Sequence, residues 1–348
     1  MPEPVFALTM GDPVGIGPEI TAKTLAEVSG TSGHHGVAVG DALAFERGAR
    51  AAGIDLEIRT VTGFDTPPKQ GVLDVFDIDV LGRDLPPWGI VDGRAGRAAV
   101  TAIEVATKAA LAGDVQGIVT GPINKEAIWK AGSKHLGHTE MLGELTGVTK
   151  QDTMFVVRNT RVPGHHLRVF FATRHMSLRE ALDQISKDRL VDSIRRADIA
   201  LRVFGVAEPT IGVAALNPHG GENGAFGTEE ITDIRPAVEF TAAEGLDVSG
   251  PVPADSIFHQ GLGGRYDGIL CLFHDQGHIP TKTVDFDGTV SVTVGLPILR
   301  TSVDHGTAFD IAGKGLAHHG TMLSAYLSAV EYGPCVPAIR ETYRSTVG

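Results

Sequence analysis

Short apolar runs alternate along the chain with longer segments in which apolar residues recur at helical spacing. The run Val5–Met10 predicts a strand, and a helix is expected from Pro18 because proline is favoured at the first helical position. Residues 94–112 have helical spacing and are followed by Gly113, a residue type that commonly ends helices. Another strand is expected at Gly117–Thr120, so strands and helices alternate in this half of the chain.

The second half of the chain continues this alternation. Helices are predicted over residues 177–204 and 228–244, and the apolar segment Val290–Val294 predicts a further strand. Strand, crossover helix and strand in succession are typical of an α/β protein with a mostly parallel sheet. A chain of 348 residues exceeds the usual limit for one hydrophobic core, so two domains are expected, without an obvious flexible linker.

Three histidines each closely follow a predicted buried strand. His175 comes after LRVFFAT, His219 after TIGVAAL and His274 after GILCLF. Ligands of open α/β sheets gather at the carboxyl ends of strands, and imidazole is the commonest metal ligand. The three histidines therefore predict one divalent metal site with room for a substrate. Imidazole ligands favour zinc, although magnesium, manganese or cobalt is also compatible with such a site.

Composition narrows the choice of partners. The chain has 30 Lys and Arg residues against 42 Asp and Glu residues, a formal net charge of −12, which argues against nucleic acid as a partner. An anionic small substrate would need a locally basic pocket. The two cysteines, Cys271 and Cys335, are too few for a disulfide framework and favour a reducing cytoplasm. The apolar runs are too short for a membrane span and the first residues lack a secretory signal, so no membrane partner is expected.

Two glycine-rich segments indicate a cofactor site. Residues 11–19, GDPVGIGPE, join a predicted strand to a helix, where backbone N–H groups can face an anion or a ribose. This segment does not match GxGxxG, and taken alone it is better explained as a tight structural turn. Residues 305–315, HGTAFDIAGKG, closely resemble the HGSAPDIAGKG loop with which isopropylmalate dehydrogenases bind the adenosine half of NAD, and GDPVGIGPE resembles their GDGIGPE. The cofactor-binding candidates are Gly11, Asp12, Gly15, Gly17, His305, Gly306, Thr307, Ala308 and Asp310.

Motifs along nearly the whole chain resemble those of the 4-hydroxythreonine-4-phosphate dehydrogenase family. They are GDPVGIGPEI, GPINKEAI, LGHTEML, NPHGGENGAFGTEEI, GPVPADSIF, HDQGHIPTK and GLPILRTSVDHGTA. The resemblance implies an isopropylmalate-dehydrogenase-like α/β fold of two αβα domains with an interdomain cleft. It also implies NAD as cofactor and a homodimer whose active site, at the subunit interface, borrows residues from both subunits. We place the NAD-binding domain at residues 1–125 and 293–348, and the metal, substrate and dimerisation domain at residues 126–292.

The resemblance assigns the metal to the three histidines and adds substrate-binding and catalytic residues. Substrate or phosphate contacts are implied for His138, Thr139, Lys282, Ser291 and Arg300. The catalytic candidates are Lys125, Asp255 and Asp275. The three basic residues of these sets, Lys125, Lys282 and Arg300, provide the positive charge that a phosphate and a carboxylate require. Either aspartate could orient a metal-bound histidine or relay a proton, and the sequence does not choose between them.

These residues support oxidation of an alcohol with loss of CO2. A secondary alcohol that gives a hydride to a nicotinamide must also lose its hydroxyl proton, and a metal on that oxygen stabilises the alkoxide. A resulting ketone that is β to a carboxylate can then be decarboxylated at the same metal. The expected activity is therefore that of an NAD-dependent decarboxylating dehydrogenase.

Three positions depart from the vitamin B6 branch of this family. Those enzymes typically read GPVHK where this chain has Asn124 in GPINK, and VNITLGLP where Ser291 replaces the asparagine that contacts substrate. His278 stands where they carry an apolar residue. We therefore favour D-threonate or D-erythronate 4-phosphate as substrate. Alternatives are 4-hydroxy-L-threonine 4-phosphate of pyridoxal phosphate synthesis and an aromatic cis-dihydrodiol carboxylate.

Two functions from other classes stay open at this point. A metal hydrolase could use the three histidines and a bound water, and a non-catalytic protein could simply bind the metal. The segment HGTAFDIAGKG discriminates against the hydrolase, which has no use for a loop that resembles a dinucleotide-binding one.

Overall fold

The computed structural model describes residues 3–158 and 160–344, which form two compact units. The first unit takes in Met1–Gln151 and Gly295–Gly348, and the second is Asp152–Val294. The strands are β1 Val5–Thr9, β2 His35–Gly40, β3 Glu57–Val61, β4 Val72–Asp77, β5 Gly117–Thr120, β6 Asp152–Val157, β7 Leu167–Phe171, β8 Thr210–Ala214, β9 Asp247–Val252, β10 Gly268–Cys271, β11 Thr289–Val294 and β12 Leu299–Ser302.

Helices connect most of these strands. The α-helices are α1 Gly17–Glu27, α2 Ala42–Ala51, α3 Gly93–Ala112, α4 Lys125–Lys130, α5 His138–Thr146, α6 Leu178–Asp183, α7 Lys187–Val203, α8 Arg235–Ala243, α9 Ala254–Leu262, α10 His274–Val284, α11 Gly320–Tyr332 and α12 Val336–Tyr343. Shorter helical turns are Pro218–Gly224, Glu230–Ile234 and Gly333–Cys335.

The first unit is built on a parallel sheet with the strand order β3-β4-β2-β1-β5-β12. Neighbouring residues of a strand face opposite sides of the sheet, so the apolar strand β1 can bury both of its faces. Ala7 belongs to a buried cluster with Ile103 of α3, whereas Phe6 packs edge-on against Tyr326 of α11 with ring centroids 6.0 Å apart. Helices therefore cover both faces of this sheet.

The second unit contains a mixed sheet with the strand order β11-β6-β7-β10-β8-β9. Strands β7, β10, β8 and β9 are parallel, and β6 is antiparallel to both β7 and β11. Ile257 and Phe258 of α9 pack in a cluster with Ile269 of β10. A β-carbon at Gly268, the preceding residue of β10, would lie 2.9 Å from Leu201 of α7, so helices again cover both faces. The predicted α/β fold of two αβα domains is confirmed.

Residues 126–151 lie in the first unit, whereas the sequence motifs had placed them with the second domain. The reason is the packing of α5, whose Met141 and Leu142 join the buried cluster that contains Ile103 of α3. The periodicity of α5 predicts a buried face but does not identify the helix against which that face packs.

Two helices predicted as continuous are divided in the structure. The first, residues 177–204, breaks before α7, where the Ser186 hydroxyl accepts a hydrogen bond from Arg189 N (3.4 Å) and caps a new helix. The second, residues 228–244, changes from a short π-helical turn to α8, whose second residue is Pro236. Proline has no N–H to continue the earlier hydrogen-bond ladder, so a new helix starts there.

The described residues contain no helix that is both long enough and apolar enough to cross a membrane. Cys271 and Cys335 do not form a disulfide.

Candidate metal centre and active site

His175 and His274 lie together at one edge of the sheet in the second unit. His175 follows β7, and His274 is the first residue of α10, directly after β10. Because β7 and β10 are paired in parallel, their carboxyl ends are neighbours. The centroids of the two imidazole rings are 5.5 Å apart.

Asp275 fixes one end of the His274 ring. Its Oδ1 atom is 2.7 Å from His274 Nδ1, which leaves Nε2 as the ring nitrogen available to a ligand. The flat face of His274 lies against His278, with ring centroids 3.8 Å apart and planes inclined by 13°. His278 in turn packs against Phe155, with centroids 4.3 Å apart. The hydrogen bond and the stack together restrict the orientation of the His274 ring.

A cavity of about 470 Å³ opens beside this histidine pair. Its wall includes His175 and His274 together with Thr173, Arg174 and Leu178. Burial lowers the pKa of Arg174, although the carboxylate of Asp152, 3.5 Å away, opposes that shift. Arg174 lies in the same wall as the two histidines and adds positive charge there. It belongs to the TRH tripeptide but was not among the predicted site residues.

His219 is exposed on the turn Pro218–Gly224 that follows β8. Within residues 3–158 and 160–344 of one chain, no three His, Cys, Asp or Glu side chains are arranged to hold a metal ion together. The donor chemistry of His175 and His274 fits a divalent cation that prefers imidazole, but one chain brings only two of the three expected ligands together.

Arg300 and His138 interact electrostatically in the first unit. Arg300 of β12 is 6% exposed and donates hydrogen bonds to Thr120 Oγ1 from Nε (3.1 Å) and Nη2 (2.7 Å). Burial lowers the pKa of Arg300 to about 10, so the guanidinium is still charged at neutral pH. Burial, with a further contribution from Arg300, holds the pKa of His138 well below its ordinary value. The Nε2 atom of His138 is buried without a hydrogen-bond partner among the described residues, so it is suited to a polar ligand.

Lys125 and Thr139 lie near the start of α5, and Asn124 lies at the start of α4. A β-carbon at Gly137 would lie 3.9 Å from Lys125 Cε, so the exposed lysine is next to the residue preceding His138. Thr139 holds Gln151, since its carbonyl accepts a hydrogen bond from Gln151 Nε2. Asn124 has a structural role as the N-cap of α4, because its Oδ1 accepts a hydrogen bond from Ala127 N (2.9 Å).

The remaining substrate and catalytic candidates belong to the second unit. Lys282 lies on α10, its Nζ 5.5 Å from the ring centre of Phe286. Ser291 is buried in β11, and Asp255 is exposed in the first turn of α9. Of the two aspartates that the sequence left open, Asp275 is the one that contacts a candidate ligand, His274.

The two glycine-rich segments lie against each other in the first unit. Ile16 N donates a hydrogen bond to the Thr307 carbonyl (3.0 Å). A β-carbon at Gly15 would lie 2.9 Å from Thr307 Cβ, so only glycine permits this approach. Segments far apart in the sequence thus form one surface, as expected for parts of one cofactor site.

Trp88 and Arg47 extend this surface, and neither residue belongs to a motif that predicted a functional role. The Arg47 guanidinium lies 3.9 Å above the Trp88 ring and donates hydrogen bonds to the carbonyls of Pro13 (3.2 Å) and Pro86 (2.8 Å). A β-carbon at Gly313 would lie 2.4 Å from the same tryptophan ring. Trp88 therefore packs beside both glycine-rich segments.

Asp12 is a buried carboxyl group within the first glycine-rich segment. Its Oδ1 accepts a hydrogen bond from Val14 N (3.0 Å), whereas Oδ2 is buried without a partner among the described residues. Burial raises the pKa of Asp12 to about 6; the hydrogen bond from Val14 opposes this shift and Asp92 adds to it.

An α/β fold that gathers titratable side chains at the carboxyl ends of parallel strands is typical of an enzyme. A family model described as "Pyridoxal phosphate biosynthetic protein PdxA" matches residues 33–329. The chain is 53% identical over 347 residues to a Cutibacterium acnes protein named "Putative D-threonate 4-phosphate dehydrogenase", covering 99% of this chain and 98% of that one. It is 44% identical over 333 residues to a Halalkalibacterium halodurans protein of the same name, covering 95% and 98% of the two chains.

A solved structure of a similar protein also matches nearly the whole chain. The 4-hydroxythreonine-4-phosphate dehydrogenase of Klebsiella pneumoniae superimposes with a TM-score of 0.85 and 41% identity, covering 95% of this chain and 98% of that one. The chain is thus an oxidoreductase of the dehydrogenase class, as predicted. It belongs to the PdxA family.

The raised pKa of Asp12 predicts a pH dependence of stability. Because the folded pKa of about 6 exceeds the ordinary value of 3.8, the contribution of this group is complete below the unfolded pKa and is lost as pH rises through about 6. We expect Asp12→Asn to gain stability relative to the unchanged protein by about 2 kcal/mol between pH 4 and pH 7. Urea unfolding of both proteins across this range measures the difference, in which other titrating groups cancel. A difference that is the same at every pH would contradict the assignment.

Proposed function

We propose that this protein is an NAD- and divalent-metal-dependent dehydrogenase that oxidises and decarboxylates a 4-phosphorylated four-carbon hydroxy acid. The observation that carries the proposal is the pairing of His175 and His274 at adjacent strand ends beside a cavity. The similarity to proteins named D-threonate 4-phosphate dehydrogenase supports the same choice of substrate class.

We further propose that the metal site is completed in a homodimer, with His219 supplied by a second copy. Two of three imidazole ligands are paired within one chain, and His219 is exposed on its own turn. Large apolar side chains are also exposed within seven residues of each of these ligands in the sequence: Leu178 (56%), Phe226 (55%) and Ile279 (62%). Exposed apolar groups of this size mark protein interfaces when they cluster, and a symmetric dimer buries the same surface on both copies.

The basic residues are proposed to hold the two anionic ends of the substrate. Arg300, still charged at neutral pH, offers a planar set of donors to a phosphate or carboxylate, and His138 offers Nε2 as a neutral imidazole. Lys125 and Lys282 provide further positive charge in an otherwise acidic protein.

When bound, the cation stabilises negative charge on the reacting oxygen, and the nicotinamide accepts the hydride. Asp275 keeps a proton on His274 Nδ1 and so directs Nε2 toward the ligand side. Lys125, Asp255 and Asp275 are the candidates for the proton transfer from the substrate hydroxyl. Oxidation at the carbon β to the carboxylate gives a β-keto acid, which loses CO2 to leave a three-carbon keto phosphate.

NAD is proposed to lie along residues 305–315 and the segment that begins at Gly11. Asp310 is an exposed carboxylate on this loop. A carboxylate near the adenosine ribose accepts a hydrogen bond from the 2′-hydroxyl and repels a 2′-phosphate, so NAD is expected over NADP. The low cysteine count, without a disulfide between Cys271 and Cys335, supports a cytoplasmic location.

The vitamin B6 substrate is the main alternative, since the solved relative carries that name. Membership of a dehydrogenase family gives no support to the three-histidine hydrolase. Ser291 and His278 favour the sugar acid. A buried serine cannot reproduce the donor and acceptor pair of an amide, and His278 changes the surface behind His274.

A direct comparison of substrates tests the proposed substrate class. We expect D-threonate or D-erythronate 4-phosphate to give a higher kcat/KM than 4-phosphohydroxy-L-threonine, because a site built for one polar group discriminates against analogues that leave its buried donors unpaired. NADH formation is followed with each substrate and several added metal ions. The matching non-phosphorylated acids serve as controls for the phosphate contacts. Faster turnover of 4-phosphohydroxy-L-threonine would contradict this substrate class and support a role in vitamin B6 synthesis.

The cofactor preference can be tested at Asp310. We expect Asp310→Ala to raise the ratio of kcat/KM for NADP to that for NAD by about tenfold or more, the effect of roughly 1.4 kcal/mol of relieved repulsion. Asp310→Glu, which keeps the charge, is the control and should retain the preference for NAD. An unchanged ratio in Asp310→Ala would place the ribose elsewhere.

A further inference from the structure

The turn that carries His219 has an unusual backbone. Five successive residues have left-handed dihedral angles: His219 (φ 54°), Gly220 (65°), Gly221 (79°), Glu222 (44°) and Asn223 (55°). Residues with a β-carbon disfavour this region, and they seldom occupy it in succession. Three of the five have a β-carbon, so interactions from outside the turn must stabilise it.

Glu230 provides such interactions at the entrance to the turn. Its Oε1 atom accepts hydrogen bonds from the backbone N–H groups of Leu216 (2.8 Å) and Asn217 (2.7 Å). Its Oε2 atom accepts a hydrogen bond from Asn217 Nδ2 (2.9 Å). The residue is 1% exposed, so these bonds form out of contact with water, where a lost partner is costly.

The same carboxylate also lies against the middle of the turn. A β-carbon at Gly221 would be only 2.8 Å from Glu230 Oε2, so this glycine leaves the room that the carboxylate fills. Gly221 is buried and has a φ of 79°, which is a second reason for glycine at this position. Glu230 thus contacts the backbone both before His219 and after it.

We propose that Glu230 is a positioning residue for the metal site: it holds residues 219–223 in the left-handed turn and thereby presents the His219 imidazole to the metal. Both oxygens of Glu230 are occupied by Leu216 and Asn217, so it acts through the backbone rather than by binding the ion. The inference rests on the proposed function in one respect, that His219 is a ligand.

The first test replaces Glu230 by Gln in the full-length protein. The amide keeps the size of the side chain but presents an NH2 group to donors that need an acceptor. We expect affinity for Co2+, measured by titration calorimetry, to fall by about tenfold or more, as for other groups that orient a metal ligand. In the metal-free protein, amide hydrogen exchange of residues 216–223 should also become faster. Glu239→Gln, an exposed position on α8, is the matched control and should change neither quantity.

A second substitution, at Glu222, tests whether Glu230 acts by holding the backbone of the turn. Glycine adopts the left-handed region without penalty, so Glu222→Gly should restore most of the Co2+ affinity and the slow exchange in the Glu230→Gln background. Glu222→Ala removes the same side chain without this backbone freedom and should not restore them. Loss of affinity that glycine fails to restore would show that Glu230 does not act through the turn and would overturn the proposal. If Glu230→Gln does not fold, Gly221→Ala disturbs the same contact.

The outcome also separates this inference from the proposed function. His219→Ala is expected to lose Co2+, and wild-type affinity in Glu230→Gln beside that loss would refute positioning while leaving the metal site intact. If the unchanged protein and His219→Ala bind Co2+ equally, His219 is not a ligand and the proposed metal site fails. Faster exchange in metal-free Glu230→Gln would still support the part of the inference that concerns the turn, and unchanged exchange would refute it.

Discussion

The parallel pairing of β7, β10 and β8 is the constraint on which the candidate metal centre depends. All residues of β7 and β10 are buried, so a shift of register would bring polar neighbours into the core. Adjacent strands are about 5 Å apart, and their carboxyl ends lie at the same edge. His175 and His274 follow these two neighbouring strand ends, and their rings are 5.5 Å apart.

The pairing of the strands does not by itself determine the position of His219. It lies five residues beyond the end of β8, whereas His274 lies three residues beyond the end of β10. The sheet fixes His274 through the first turn of α10, but the position of His219 depends on its own left-handed turn and on the carboxylate of Glu230. A ligand that is held by a turn can be presented to a second molecule, which is the arrangement we propose.

Much of the fold, and the edge of the sheet that carries the candidate metal centre, could be predicted from the sequence, because both follow from local sequence patterns. Buried strands are recognisable as short apolar runs, and polar residues just after them mark the functional edge of an α/β sheet. Long-range packing was not predictable in this way. The association of α5 with α3 depends on Met141 and Leu142 meeting a distant surface, and Asn124 proved to cap a helix although it lies in a functional motif. Nothing in the local pattern of Glu230 indicates that it supports a turn several residues earlier.

The first unit carries a different kind of constraint, the burial of polar groups. Arg300, His138 and Asp12 all have pKa values displaced mainly by burial, and two of them have a buried atom without a partner among the described residues. Burial of such groups in their charged form costs stability, and groups of this kind are usual at sites adapted to a ligand.

Mixing of inactive subunits tests the central claim, a metal site shared between two copies, most directly. His219→Ala and His274→Ala subunits should each be inactive, but after dissociation and reassociation together they should recover about a quarter of the normal activity. Half of the dimers are then mixed, and each mixed dimer contains one complete site. A mixture of His175→Ala and His274→Ala subunits should recover none, because those ligands come from the same chain. No recovery in the first mixture, when unchanged protein treated in the same way regains its activity, would contradict the shared site.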